Sequence, residues 1–130
     1  MSLAGRTVLV ADDNQDIRDL ITIILEDSSI SVLSAEDGVN ALTQASSHKP
    51  DLILLDVMMP GLSGIQTLER IRNHEDSEVQ KIPVVMITAK SQSEDIDKAL
   101  LTGADSYIIK PFQTGLLIEK ISSILQIGGK

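Results

Sequence analysis

The chain has 130 residues, 42% of them hydrophobic and 23% charged, the make-up of one soluble domain able to bury a core. A net charge of −8 and a pI near 4.5 argue against a surface that grips nucleic acid or an anionic membrane by itself. There is no cysteine, which excludes disulfides, thiolate chemistry and cysteine-based zinc sites.

Residues 1–6 lack the long apolar core of a signal peptide, and no apolar run approaches membrane-spanning length, so a cytoplasmic location is expected. Val8-Leu9-Val10-Ala11 predicts a strand over 7–12 that runs into Asp12-Asp13. Ile17, Leu20, Ile21, Ile24 and Leu25 recur at helical spacing and predict a helix over 15–27 with these residues inward. A strand over 31–35 and a helix over 37–47 follow. The unbroken apolar run Leu52-Ile53-Leu54-Leu55 reads as a buried parallel strand over 51–56, ending in Asp56. A helix is predicted over 64–75, and His74-Glu75-Asp76-Ser77-Glu78 reads as a solvated acidic loop. Val84-Val85-Met86-Ile87 predicts a strand over 83–88 that ends at Thr88. Ser91 and Glu94 have capping-box spacing at the start of a helix over 92–102, and Gly103 suits its C′ position. The last strand, over 105–109, runs into Lys110-Pro111, and a helix over 113–126 closes the chain. One domain over 1–130 is expected, with its core in 6–126 and a tail or linker start at 127–130.

Strict alternation of strands and helices predicts an α/β fold of three layers, α/β/α, around a doubly wound five-stranded parallel sheet. Open sheets of this kind place their sites at the carboxyl ends of the strands. Asp12, Asp13, Asp56, Thr88 and Lys110 all fall there. At about 4 Å, like charges repel by roughly 4 kcal/mol at an effective dielectric of about 20, so three such acids need a cation. Lys110 supplies one charge and leaves the group near −2. An all-oxygen set of few carboxylates selects a hard divalent ion, Mg²⁺ before Ca²⁺. A carboxylate beside Mg²⁺ can attack phosphorus and become an aspartyl-phosphate, with the metal and Lys110 stabilising charge and Thr88 bonding a phosphoryl oxygen.

These residues, with the segment Asp56-Val57-Met58-Met59-Pro60-Gly61-Leu62-Ser63-Gly64, Thr88-Ala89, Gly103-Ala104-Asp105 and Lys110-Pro111-Phe112, resemble the receiver domains of two-component response regulators from Val8 to Leu125. The resemblance implies a flavodoxin-like fold with strand order 2-1-3-4-5. It implies phosphoryl transfer to Asp56 from a phosphohistidine on a sensor histidine kinase or a histidine phosphotransfer protein. It implies Mg²⁺ held by Asp13, Asp56 and the Met58 carbonyl, with Asp12 acting partly through water. Thr88 and Tyr107 match the family's switch pair, Lys110 its phosphate-binding lysine, and Lys110-Pro111 its cis bond.

Plainer readings stand beside these. Asp12 or Asp13 can cap a helix, and Tyr107 can be a core aromatic. His48 and His74 are expected at the surface, away from the site, so the phosphohistidine must come from another protein. An aspartyl phosphohydrolase is the rival function, but position 58, where such enzymes carry a second acid, is Met58. No dinucleotide fingerprint or phosphate-binding loop follows the first strand. A phosphate-independent interaction module is a further alternative. Ile96, Ala99 and Leu100 are expected on the inner face of the fourth predicted helix, with Leu101 well off it. Leu117, Ile121 and Ile124 do the same for the last, flanked by Leu116 and Ile118. An apolar face built from these two helices and the fifth strand would dock an effector, an output domain or a second copy.

Overall fold

A computed structural model describes residues 3–89 and 93–128. In chain order it contains β1 (Thr7–Ala11), α1 (Gln15–Asp27), β2 (Ser31–Ala35), α2 (Gly38–His48), β3 (Leu52–Asp56), α3 (Gly64–Arg72), α4 (Ser77–Gln80), β4 (Val84–Ala89), α5 (Ser93–Thr102), β5 (Ser106–Lys110) and α6 (Thr114–Gly128). All strands pair in parallel in the order β2-β1-β3-β4-β5, as the resemblance implies. The register sets Ala11 beside Leu55, Asp56 beside Ile87 and Ala89 beside Lys110, which brings the strand ends to one edge.

The central strand is apolar from Leu52 to Leu55 because both faces of a parallel sheet are covered. Alternate side chains serve opposite layers. Leu9, Ile53, Leu55 and Met86 meet Ala41 of α2, Leu68 of α3 and Ala99 of α5 on one side. Val8, Val10, Leu52, Leu54, Val85 and Ile87 meet Ile21 and Leu25 of α1 and Leu117 and Ile121 of α6 on the other.

Several expectations need correction. Leu20 is 48% exposed: successive helical residues differ by about 100°, so burying Ile21 and Leu25 leaves Leu20 on the shoulder of the stripe. Leu100 is likewise 41% exposed, and Ala99 carries the inward packing of α5. The expected acidic loop contains the single-turn helix α4. Asp76 caps it by accepting from the Glu78 amide, and Val79 is fully buried beneath it. One turn with one apolar residue carries no period to read. His74 is half-buried, its Nδ1 accepting from the Asp76 amide at 3.0 Å, whereas His48 is exposed as expected. The Ser91–Glu94 capping box lies outside the described residues.

The end of the sheet remote from Asp56 is tied by Arg72. Its guanidinium donates to the carbonyls of Gly103, Gln80 and Ile82 and pairs with Asp105 at 3.0 Å. Asp105 in turn accepts from the Val84 amide. Burial holds the guanidinium below its ordinary pKa, with Asp105 working in the opposite direction. One side chain thereby joins α3, α4, the segment leading into β4 and the turn between α5 and β5.

Candidate functional site

β1 is followed directly by Asp12-Asp13 and β3 ends in Asp56, and Asp12, Asp13 and Asp56 each offer a carboxylate oxygen within 4.8 Å of the others. Asp12 is fully buried, Asp56 is buried and Asp13 is exposed at the mouth. Lys110 reaches over from the end of β5, its Nζ 3.0 Å from Asp12 Oδ2 and 3.5 Å from Asp56 Oδ1. Thr88 is fully buried on β4, one residue beyond the partner of Asp56 in the ladder. Its hydroxyl donates to the Ala89 carbonyl at 3.2 Å. The structure thus brings together Asp12, Asp13, Asp56, Thr88 and Lys110.

Burial pushes the Asp56 carboxyl up to about 6, and the neighbouring charge of Asp12 adds to the rise. Lys110 and the Met58 amide, which bonds this carboxylate, pull it back, and Asp13 raises it slightly. Three acids facing one ammonium leave the cluster short of positive charge. The oxygen donors, their spacing and this deficit fit a hard divalent cation.

Asp12 is fixed at every polar atom. Its amide donates to Ala35, its Oδ1 accepts from the Asn14 amide at 2.9 Å, its Oδ2 accepts from Lys110, and its carbonyl accepts from Arg18 Nη1 at 2.6 Å. Asn14, rather than Asp12 or Asp13, caps α1, accepting from the Asp16 and Ile17 amides. Asp13 has neither a hydrogen bond nor an ion pair among the described residues.

The segment after Asp56 is held by close backbone contact. The Gly64 amide donates to the Val57 carbonyl at 2.8 Å. A Cβ on Gly64 would overlap the Asp56 carbonyl oxygen and lie 2.8 Å from Val57 Cα. Ser63 and Gln66 form a reciprocal capping box that fixes this start of α3. On the other flank a Cβ on Gly38 would overlap Thr67 Oγ1 and lie 2.8 Å from Leu62 Cβ. Met58 projects outward, 60% exposed, leaving its backbone to face the site.

Tyr107 stands apart from the acids. Its ring is half-buried against the core beside Met86, its ladder partner, and Lys120 Nζ lies 5.5 Å from the ring centroid. The Lys110–Pro111 bond is cis. Sequence reasoning missed Arg18, whose signal is a cation in the first turn of a helix, and Gly38, which gives no signal without the fold.

Comparisons with known proteins bear on the family and the fold. A family model described as the response regulator receiver domain matches residues 8–122. The Escherichia coli phosphate regulon transcriptional regulatory protein PhoB is 40% identical over 122 residues, covering 94% of this chain and 52% of that protein. The DNA-binding response regulator MtrA of Mycobacterium tuberculosis is 36% identical, covering 97% of this chain and 53% of its own length. The chain therefore spans about half the length of these relatives. Among solved structures, the receiver domain of Francisella response regulator 1452 superposes with a TM-score of 0.85 at 33% identity, covering 97% of this chain and all of that one. Vibrio cholerae chemotaxis protein CheY4 gives 0.85 at 29% identity, covering 92% and 98%. With its parallel sheet in the order 2-1-3-4-5, its acids at one edge and a family match that takes in nearly the whole chain, this protein belongs to the response regulator receiver domain family.

Proposed function

We propose that Asp56 accepts a phosphoryl group from a phosphohistidine on a sensor histidine kinase or a histidine phosphotransfer protein. The observation that carries this reading is a buried carboxylate at the end of the central strand, flanked by two acids, an ammonium and a buried hydroxyl. An Asp56 carboxylate oxygen bonds to phosphorus as the phosphorus–nitrogen bond breaks, and the electron pair leaves with the imidazole. Lys110 holds negative charge on the transferring group, and Thr88 donates to a phosphoryl oxygen once it has arrived. Asp13, Asp56 and the Met58 carbonyl would hold Mg²⁺, with Asp12 acting partly through water. When bound, the ion supplies neutralisation of the phosphoryl oxygens.

Asp56 then carries about −2 in place of −1. The extra charge draws the Thr88 hydroxyl and Lys110 inward, and Tyr107, on the strand beside Thr88, turns with them. The readout surface is the apolar patch on α5, β5 and α6. Leu101 is 89% exposed there, accompanied by Leu100, Ile109 and Leu116. This face docks an output domain, an effector or a second copy, while the acidic domain itself binds neither nucleic acid nor membrane. No helix among the described residues is long and apolar enough to cross a membrane. The protein acts as a regulatory phosphoacceptor rather than an enzyme with an external substrate. Residue 58 offers a thioether where a phosphohydrolase needs its second acid.

The test is intact mass after incubation with Mg²⁺ and acetyl phosphate, with Asp56→Asn in parallel. One Mg²⁺-dependent phosphoryl adduct, absent from the variant, is expected. An adduct that survives Asp56→Asn would move the acceptor elsewhere. Turnover of phosphate esters would favour the hydrolase. Leu101→Glu combined with Leu116→Glu is expected to abolish effector binding or self-association of the phosphorylated form.

A further inference from the structure

Arg18 stands where helix electrostatics disfavour it. It is the fourth residue of α1, next to the positive end of the helix dipole, where cations are destabilising. Asp16 and Asp19 are its close neighbours in sequence, yet Arg18 pairs with no carboxylate among the described residues. Instead its half-buried side chain runs back toward the helix start, as helical side chains do, and Nη1 donates to the Asp12 carbonyl at 2.6 Å. The bond lands on the peptide that joins Asp12 to Asp13. Asp12 is secured at its other polar atoms, but Asp13 has no partner of its own, so its position depends on this peptide.

We infer that Arg18 is a positioning residue for the acidic cluster: by gripping the Asp12–Asp13 peptide it aims the Asp13 carboxylate at Asp56 while leaving the carboxylate oxygens open to a divalent cation. The inference rests on the proposed metal site. A guanidinium bonded to a carbonyl brings positive charge near three acids without competing for the ligand atoms. A lysine or arginine bonded directly to Asp13 would occupy them.

Charge and position predict opposite signs, which makes the test decisive. Removing a cation near the site should tighten Mg²⁺ binding if charge alone matters. Releasing the Asp12–Asp13 peptide should weaken it, by about tenfold if Arg18 behaves as outer partners of metal ligands do. The experiment is calorimetric titration of the purified protein with Mg²⁺ and no phosphodonor, for wild type, Arg18→Met and Arg18→Lys. Thermal unfolding of each variant confirms its fold. Expected are weaker binding for Arg18→Met and recovery toward wild type for Arg18→Lys, whose ammonium can reach the same carbonyl. Arg18→Gln, two atoms too short for that bond, takes the place of the Met variant if the latter does not fold. Unchanged or tighter binding in the neutral variants overturns the role of Arg18. Absence of binding by wild type overturns the metal site itself, and this inference with it.

Discussion

In the absence of metal, the carboxylate of Asp56 works against the fold, and Asp56→Asn measures by how much. Its folded value of about 6 lies above the unfolded 3.8, with burial first and Asp12 second among the causes. A difference of about 2 pH units corresponds to roughly 3 kcal/mol of penalty. Water at the open mouth, where Asp13 is exposed, screens part of this, so about 1–2 kcal/mol is the expected gain. The sign follows from linkage: the unfolded state ionises first, so the penalty is absent below 3.8, grows as pH rises toward 6 and is complete above it. Asp56→Asn should therefore raise the melting temperature by about 5 °C at pH 7.5 in EDTA. The gain should shrink at pH 4.5, and Mg²⁺ should close the gap by stabilising wild type alone. Circular dichroism melts at both pH values read it. No gain at pH 7.5, or the same gain at pH 4.5, would refute the reasoning.

Three other perturbations probe separate parts of the structure. Lys110→Met removes the ammonium facing Asp12 and Asp56; the rate of adduct formation with acetyl phosphate should fall at least about a hundredfold, as followed by intact mass. Gly64→Ala forces a methyl group against the Asp56 carbonyl and should cost at least about 2 kcal/mol in urea unfolding, whereas Gly61→Ala, with open space around a positive φ, should cost about 1. Arg72→Met strips three carbonyls and Asp105 of their donor and should cost about 2–4 kcal/mol, yet leave Mg²⁺ affinity unchanged because the clamp lies at the far end of the sheet.

Much of this molecule is written in local pattern. The run Leu52–Leu55 announces a covered central strand, and each strand-end residue of the candidate site follows such a run, so its place at one edge of the sheet is legible in the sequence. The period of α1 was legible, but the edges of its buried stripe were not: Leu20 and Leu100 are apolar residues on the shoulder of their helices, and only the packing of Ile21, Leu25 and Ala99 decides which way each helix is turned. α4 was missed because one turn is shorter than any period. The grip of Arg18 on Asp12 and the approach of Gly38 to Leu62 and Thr67 are tertiary facts. The first leaves only a misplaced charge in the sequence, and the second leaves nothing.

The two close-packed glycines make one flank of the site tighter than the other. On the side of α3, Gly64 lies against the backbone of Asp56 and Val57, and on the side of α2, Gly38 lies against Thr67 and Leu62. On the side of α5, Ala99 is the sole fully buried residue between 94 and 102, and Tyr107 is only half covered. On the proposed reading, a displacement at Asp56 meets less packing resistance on that side. Anyone building a reporter from this domain should place the dye accordingly: at Leu101 or Ile109 it would sit on the loosely packed flank, with Val39, also exposed on α2, as the control position on the tight one.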